Sequence, residues 1–251
     1  MAHWGPPSRR TSPEAQPLNS NPDQISLDHP RTIGEIVRAA MGIYARRPLF
    51  FLALTGAIVV PYEIVFALVS SSKGGGSTAL VLLLALVDLA LVNPFVTALE
   101  TQALVDLGAG IQPSFGTVFT QALRVLPVVA AAEIIAGLSE FMGLALFVLP
   151  GVYLAVRMAV AAPVAAVEQT DWLDAIRSTL VITRRNFWRV LDLLAIQGLL
   201  TYMVAVIIGA GNTLTSTILG LLFAVLAQSF TTLLISLLYF DLNARAALAA
   251  A

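Results

Sequence analysis

Six ionisable side chains lie inside stretches too apolar to be ordinary loops: Glu63, Asp88, Glu133, Glu140, Arg157 and Asp192. A charge held within a bilayer costs about 3 kcal/mol or more, so such residues are paired, sit near an interface, or serve a function. At about 1.5 Å of rise per residue, Glu63, Glu140 and Arg157 come out at similar depth, roughly 9–14 Å below the outer ends of their helices. Arg157 is the one basic residue expected at that level, and its expected partner is Glu63 or Glu140. The rival is an arginine that snorkels to the outer edge. Asp88, Glu133 and Asp192 have no evident cation. Protonation, pairing with surface arginines such as Arg124 and Arg189, or a proton relay would each account for them. Gln228, with Ser229, Thr231 and Thr232, places a polar cluster in the last apolar stretch, where hydrogen bonding between helices is the ordinary use.

The residue types that carry familiar enzyme chemistry are missing. The chain has no cysteine, which removes disulfides, thiolate metal sites and cysteine nucleophiles. Its two histidines are His3 and His29, at the N-terminal end. There is no HExxH, GxSxG or Walker loop. Gly74-Gly75-Gly76 lacks the lysine and helix start of a phosphate loop, and neither Asp88 nor Asp192 stands in a Gly-x-Gly-Asp context. No catalytic residue, metal set or cofactor site is expected, and the chain reads as a non-enzyme.

The elements that must position these residues are set by composition. Of 251 residues 58% are hydrophobic and 12% charged, with a mean hydropathy of +0.85. A soluble domain is about a quarter charged, so a soluble globule is excluded. A net charge of −1 argues against nucleic acid as a partner. Residues 1–30 are rich in proline and polar residues without apolar periodicity, and read as a disordered cytoplasmic tail. Residues 31–251 read as one transmembrane helical domain.

Thr32-Ile33-Gly34-Glu35 has the capping-box form that opens a helix. Apolar runs long enough to cross a bilayer, about 20 residues each, follow at Pro48–Ser70, Thr78–Thr97, Leu126–Leu149, Val152–Val167, Phe187–Ile208 and Thr217–Leu238. The joints Ser71–Ser77, Leu149-Pro150-Gly151 and Gly209–Asn212 pair them into three hairpins. The expected fold is therefore all-α: a polytopic bundle of about six spans with amphipathic interfacial helices. Gly151, Ala155, Ala159, Ala162 and Ala166 mark one closely packed face of the fourth span.

Arginines fall at the ends opposite these joints, so the positive-inside rule puts both termini in the cytoplasm. Tyr44, Trp172, Trp188, Tyr239 and Phe240 form the expected aromatic belt at the same edge. Two basic surface helices, Ile33–Arg47 and Trp172–Arg185, are expected in the interface, the second with an apolar stripe of Trp172, Leu173, Ile176 and Leu180. Arg38, Arg46, Arg47, Arg177, Arg184, Arg185 and Arg189 are the candidate contacts to anionic lipid; the alternative is that they only set topology. The segments entering Arg46-Arg47 and Arg184-Arg185 resemble each other, and Ser114–Leu126 offers a middle copy. This suggests three units of surface helix plus hairpin, or convergence on common membrane-entry chemistry.

The motif Pro150-Gly151-Val152-Tyr153-Leu154-Ala155-Val156-Arg157, with Ala162-Pro163-Val164, Glu168, Ala175-Ile176-Arg177-Ser178 and Thr183–Val190, resembles the membrane-domain family of glycerophosphoryl diester phosphodiesterase. Arg31–Ile36 and Tyr239–Leu242 with Arg245 also fit. The resemblance implies a multi-pass protein of the bacterial inner membrane. In fused members of that family a separate soluble barrel carries the hydrolysis, and this chain has no such barrel. Two functions are therefore expected. One is a non-catalytic membrane protein that binds lipid or another membrane protein. The other is a small permease with acidic residues around a central cavity; a continuous polar cavity holding Asp88 and Glu133 would favour it, and a closed dry bundle would favour the first.

Overall fold

The computed structural model describes residues 27, 29–70, 77–169, 171–209 and 214–250. Those residues form helices joined by turns, and no strand occurs among them. In chain order the helices are α1 (Ile33–Arg46), α2 (Pro48–Ser70), α3 (Thr78–Val87), a π-helical segment (Asp88–Val92), α4 (Asn93–Gly108), α5 (Phe115–Leu146), α6 (Val148–Met158), α7 (Ala161–Glu168), α8 (Trp172–Arg184), α9 (Phe187–Gly209) and α10 (Leu214–Ala250). The fold is an all-α helical bundle. The expected tail over residues 1–30 and the joints at Ser71–Ser77 and Gly209–Asn212 fall largely outside the described residues.

Six segments among the described residues are long and apolar enough to cross a membrane: Pro48–Ser70, Thr78–Gly108, Phe115–Leu146, Val148–Glu168, Phe187–Val206 and Ile218–Ala249. Their outward faces carry large apolar side chains that water would not tolerate together, among them Leu68, Leu86, Phe141, Leu149 and Leu199. The chain is a multi-pass membrane protein.

α4 lies at the centre of the bundle. From Pro94 to Leu104 every residue is buried, polar ones included, and the helix packs against α2, α5, α7 and α10. Two of its polar residues bond to neighbouring helices. Gln102 Nε2 donates to the Ala166 carbonyl of α7 at 2.7 Å. The Thr101 and Ser236 hydroxyls, the latter on α10, stand 2.9 Å apart.

Several joints differ from the sequence reading. Leu149-Pro150-Gly151 is not the turn between the third and fourth spans. The break falls at Phe147, and Pro150 sits in the first turn of α6, where its missing N–H has no intrahelical partner to lose. Gly151 instead permits close approach: a Cβ on Gly143 would come within 2.8 Å of the Gly151 Cα. Ser114–Leu126 is not a separate surface helix, because Ser114 caps a single α5 that runs on to Leu146. The fourth span is interrupted at Ala159-Val160, so its small residues are shared between α6 and α7.

α1 opens with the expected capping box: Thr32 Oγ1 accepts from Glu35 N–H while Glu35 Oε2 accepts from Thr32 N–H at 2.7 Å. It buries Ile36, Ala40 and Ile43, chiefly against α10. α8 opens on Asp171. The face it buries is Ala175, Thr179 and Thr183, with Leu173 exposed, so the stripe expected from its larger side chains is not its buried face. Small residues let α8 lie directly on α6 and α7. Trp188 stands out at the aromatic edge, 74% exposed, but Tyr239 is only 2% exposed and belongs to the core.

Candidate functional site: an acidic cavity in the bundle

The site begins at the irregular joint between α3 and α4. Pro94 has no N–H to bond the carbonyl four residues back, and the backbone widens there, with Asn93 N–H donating to the Asp88 carbonyl five residues back. Widened turns of this kind frequently mark functional positions. This one sets Asn93 and Thr97 on one face of α4, toward α5 and α10.

A polar chain follows from that placement. Asn93 Nδ2 donates to Asp88 Oδ2 at 2.9 Å, and Gln228 Nε2 of α10 donates to Asn93 Oδ1 at 2.8 Å. The Thr97 hydroxyl lies 2.9 Å from Glu133 Oε1 of α5 and 3.0 Å from the Asn93 carbonyl. Its single proton serves one of these acceptors at a time. An ionised Glu133 takes that proton. A protonated Glu133 donates to Thr97 instead, which then donates to Asn93. The pair accommodates either charge state.

Asn93, Thr97, Glu133 and Gln228 face a cavity of about 810 Å³, and Asp88 stands behind its wall, bonded to Asn93; the volume is within the roughly 300–1,000 Å³ of small-molecule sites. Its wall includes Asn93, Thr97, Glu133, Glu140, Gln197, Thr201, Tyr202, Gln228, Thr231 and Thr232, with Ala155, Ala159, Ala162 and Pro163 at the interrupted fourth span. Among the described residues no arginine, lysine or histidine lines it. Two carboxylates, amides and hydroxyls therefore present an acceptor-rich wall of negative character.

The remaining candidates are dispersed. Arg157 is paired with neither Glu63 nor Glu140. Its Nη1 donates to Thr183 Oγ1 at 3.2 Å, and the Arg157 carbonyl lies 3.2 Å from the same hydroxyl. Because the fourth span breaks at Ala159 and α8 folds back onto α6, Arg157 reaches that surface helix. Glu63 is half-buried on α2 and Glu140 is exposed on the cavity wall. Asp192 is exposed on α9 and is not bonded to Arg189.

Among the candidate lipid contacts, Arg38, Arg46, Arg177, Arg184 and Arg185 are exposed and Arg47 is half-buried. Arg177 pairs with Asp174 at 3.1 Å on the surface. Arg189 is turned inward: its Nε bonds Asp241 Oδ2 at 2.8 Å.

Sequence reading missed the buried carboxylates Glu100, Asp106 and Asp241. Asp241 of α10 is fully buried; it accepts from Arg189, from Arg245 Nε at 3.1 Å and from the Arg31 backbone N–H. Arg245 Nη2 also donates to the Arg31 carbonyl at 2.8 Å. The i, i+4 spacing of Asp241 and Arg245 was the available signal. Glu100 lay beyond the expected end of the second span at Thr97; the continuous apolar spacing through Leu104 was its signal.

Fold and site together define a class: a polytopic helical membrane protein with an acidic cavity inside its bundle. No family model, no curated protein and no solved structure matches the chain.

Proposed function

We propose that the protein binds and moves a small organic cation through this cavity, as a small permease. One observation carries the reading: a cavity of about 810 Å³ among membrane-spanning helices has two carboxylates in its wall and, among the described residues, no basic side chain. In a medium of low dielectric, an acidic wall without its own cation favours a positively charged guest and disfavours an anion. Glu133, held by Thr97, is the anchoring charge. Asn93 and Gln228 hold the wall in register and tie it to Asp88.

The same proposal places the chain in a bacterial inner membrane with both termini cytoplasmic, supported by the arginines at the ends of α1, α8 and α10. It treats the chain as akin to the membrane domain of the glycerophosphoryl diester phosphodiesterase family, acting without hydrolysis. The expectation of a lipid or protein binder becomes the second reading, supported by the exposed arginines of α1 and α8.

The test uses purified protein in sealed liposomes and ethidium, a fluorescent organic cation. Wild-type protein is expected to accelerate ethidium uptake, and Glu133→Gln to remove most of that acceleration while the folded protein still inserts. Uptake no faster than in protein-free liposomes, with lipid retained in fixed ratio after purification, overturns transport in favour of lipid binding.

A further inference from the structure

Glu100 stands apart from the cavity and has a different problem. Its carboxylate on α4 is fully buried. Oε1 accepts from the Thr55 hydroxyl of α2 at 2.6 Å, and Oε2 has no hydrogen-bond partner. The Ser229 hydroxyl of α10, also fully buried, lies beside both Glu100 and the Tyr44 phenol of α1. The Ser229 hydroxyl is near enough to interact with both, but neither it nor the Tyr44 phenol makes a hydrogen bond of normal geometry. Burial, reinforced by the Glu100 charge, pushes the Tyr44 phenol up to about 12, so it remains a neutral oxygen donor. Among the described residues no arginine, lysine or histidine forms an ion pair with Glu100.

Oxygen atoms from α1, α2, α4 and α10 therefore converge around one carboxylate, with three of them lacking partners. A buried charge is tolerated when it is paired or coordinates a metal. The donor set specifies which ion. One carboxylate among neutral hydroxyls balances a single positive charge, whereas calcium sites gather several carboxylates or carbonyls. Nitrogen and sulfur ligands, which draw transition metals, are absent from the cluster, and no group of three His, Cys, Asp or Glu occurs among the described residues.

We propose that Thr55, Glu100, Ser229 and Tyr44 form a binding site for a small alkali cation of the sodium type. The ion neutralises Glu100, engages the unpartnered oxygens and ties α1 to the three helices behind it. These residues are not among those lining the cavity, so the site stands whether or not the cavity admits an organic cation.

The experiment is thermal unfolding of the full chain in detergent, titrating sodium chloride against caesium chloride, whose cation is inorganic and too large for a sodium site, at constant ionic strength. Wild-type protein is expected to gain about 3 °C or more at saturating sodium, with a saturable dose curve. Ser229→Ala and Thr55→Val are expected to move that curve at least tenfold to higher sodium. Glu100→Gln is expected to abolish the response and to unfold at the same temperature in either salt. Should Glu100→Gln fail to fold, the two hydroxyl variants still decide. A wild-type midpoint indifferent to sodium, or a full response retained by Ser229→Ala, overturns the site. So does a midpoint that rises only on acidification in caesium chloride, which would make Glu100 a simple protonated carboxyl.

Discussion

Asp241 and Glu133 are both carboxylates set among packed helices, and their surroundings differ in kind. Asp241 receives two guanidinium groups and a backbone N–H, and Arg245 continues from it to the Arg31 carbonyl. The result is a clamp that fastens the residues before α1 to α9 and α10. Glu133 has one hydroxyl neighbour, shared with a carbonyl, and an open cavity in front of it. In the first region the carboxylate meets its complement inside the protein. In the second the complement must arrive from outside. Compensation, more than burial, separates a carboxylate that holds the fold from one available to a ligand.

The largest effect belongs to the clamp. Asp241→Asn keeps the shape but removes the charge, leaving Arg189 buried beside an amide. Breaking a buried pair from one side costs about 3–5 kcal/mol, and a loss of that order is expected in thermal unfolding in detergent. Arg245→Ala should cost less, because its side chain is 35% exposed against 17% for Arg189. If the two substitutions cost the same, the clamp is not organised around Asp241.

Arginines outside the clamp provide the contrast. Arg184 and Arg185 are exposed, and each is expected to add about 1 kcal/mol of attraction to an anionic membrane surface. Arg184→Gln with Arg185→Gln should therefore weaken retention of anionic lipid and leave the unfolding temperature in detergent unchanged. Unchanged lipid retention would confine this pair to setting topology.

On the cavity wall the expected stability change is smaller again. Glu133→Gln retains an acceptor for Thr97 and removes a charge that nothing inside the protein compensates, so its stability should shift by about 1 kcal/mol or less. A loss as large as that of Asp241→Asn would erase the distinction between the two regions.

Much of the scaffold was legible because membrane spans are specified by composition. Pro48–Ser70 was read at its observed limits, and the capping box at Thr32 was read from residue type alone. The misread joints have local causes. Pro150 looked like a turn but stands where a helix accepts proline, and Thr97 looked like an end because Glu100 follows it. Arg157 was misassigned because its partner was sought among the acidic residues of the spans, whereas the return of α8 onto α6 brings Thr183 to it. The buried face of α8 was misread because large apolar residues were expected to make the contact, and close packing used Ala175, Thr179 and Thr183 instead. Gln228 and Glu133 were recognisable as polar groups in apolar runs. The link between them, Asn93 bonded to Gln228 and Thr97 to Glu133, was not, because the backbone widening at Pro94 is what sets both residues toward α5 and α10.

The smallest expected effect tests how the clamp ends. Arg31 threads it through backbone atoms, and the next residue, Thr32, caps α1 with Glu35. The hydrogen bonds from Thr32, its backbone N–H first and its hydroxyl second, hold the Glu35 carboxyl below the usual glutamate range. A carboxyl depressed on folding contributes stability that is present above its unfolded value, about 4.3, and lost as pH falls through the folded value. Amide exchange at Ile33, Gly34 and Glu35 should accordingly gain protection as pH rises through this range, once the intrinsic rate is removed. Glu35→Gln keeps an acceptor for the Thr32 N–H but cannot titrate, so its protection should be flat across the same range. If acid loosens α1 and α10 together, the cap and the clamp open as one unit, and the compensated region extends one helical turn further into α1 than its ion pairs indicate.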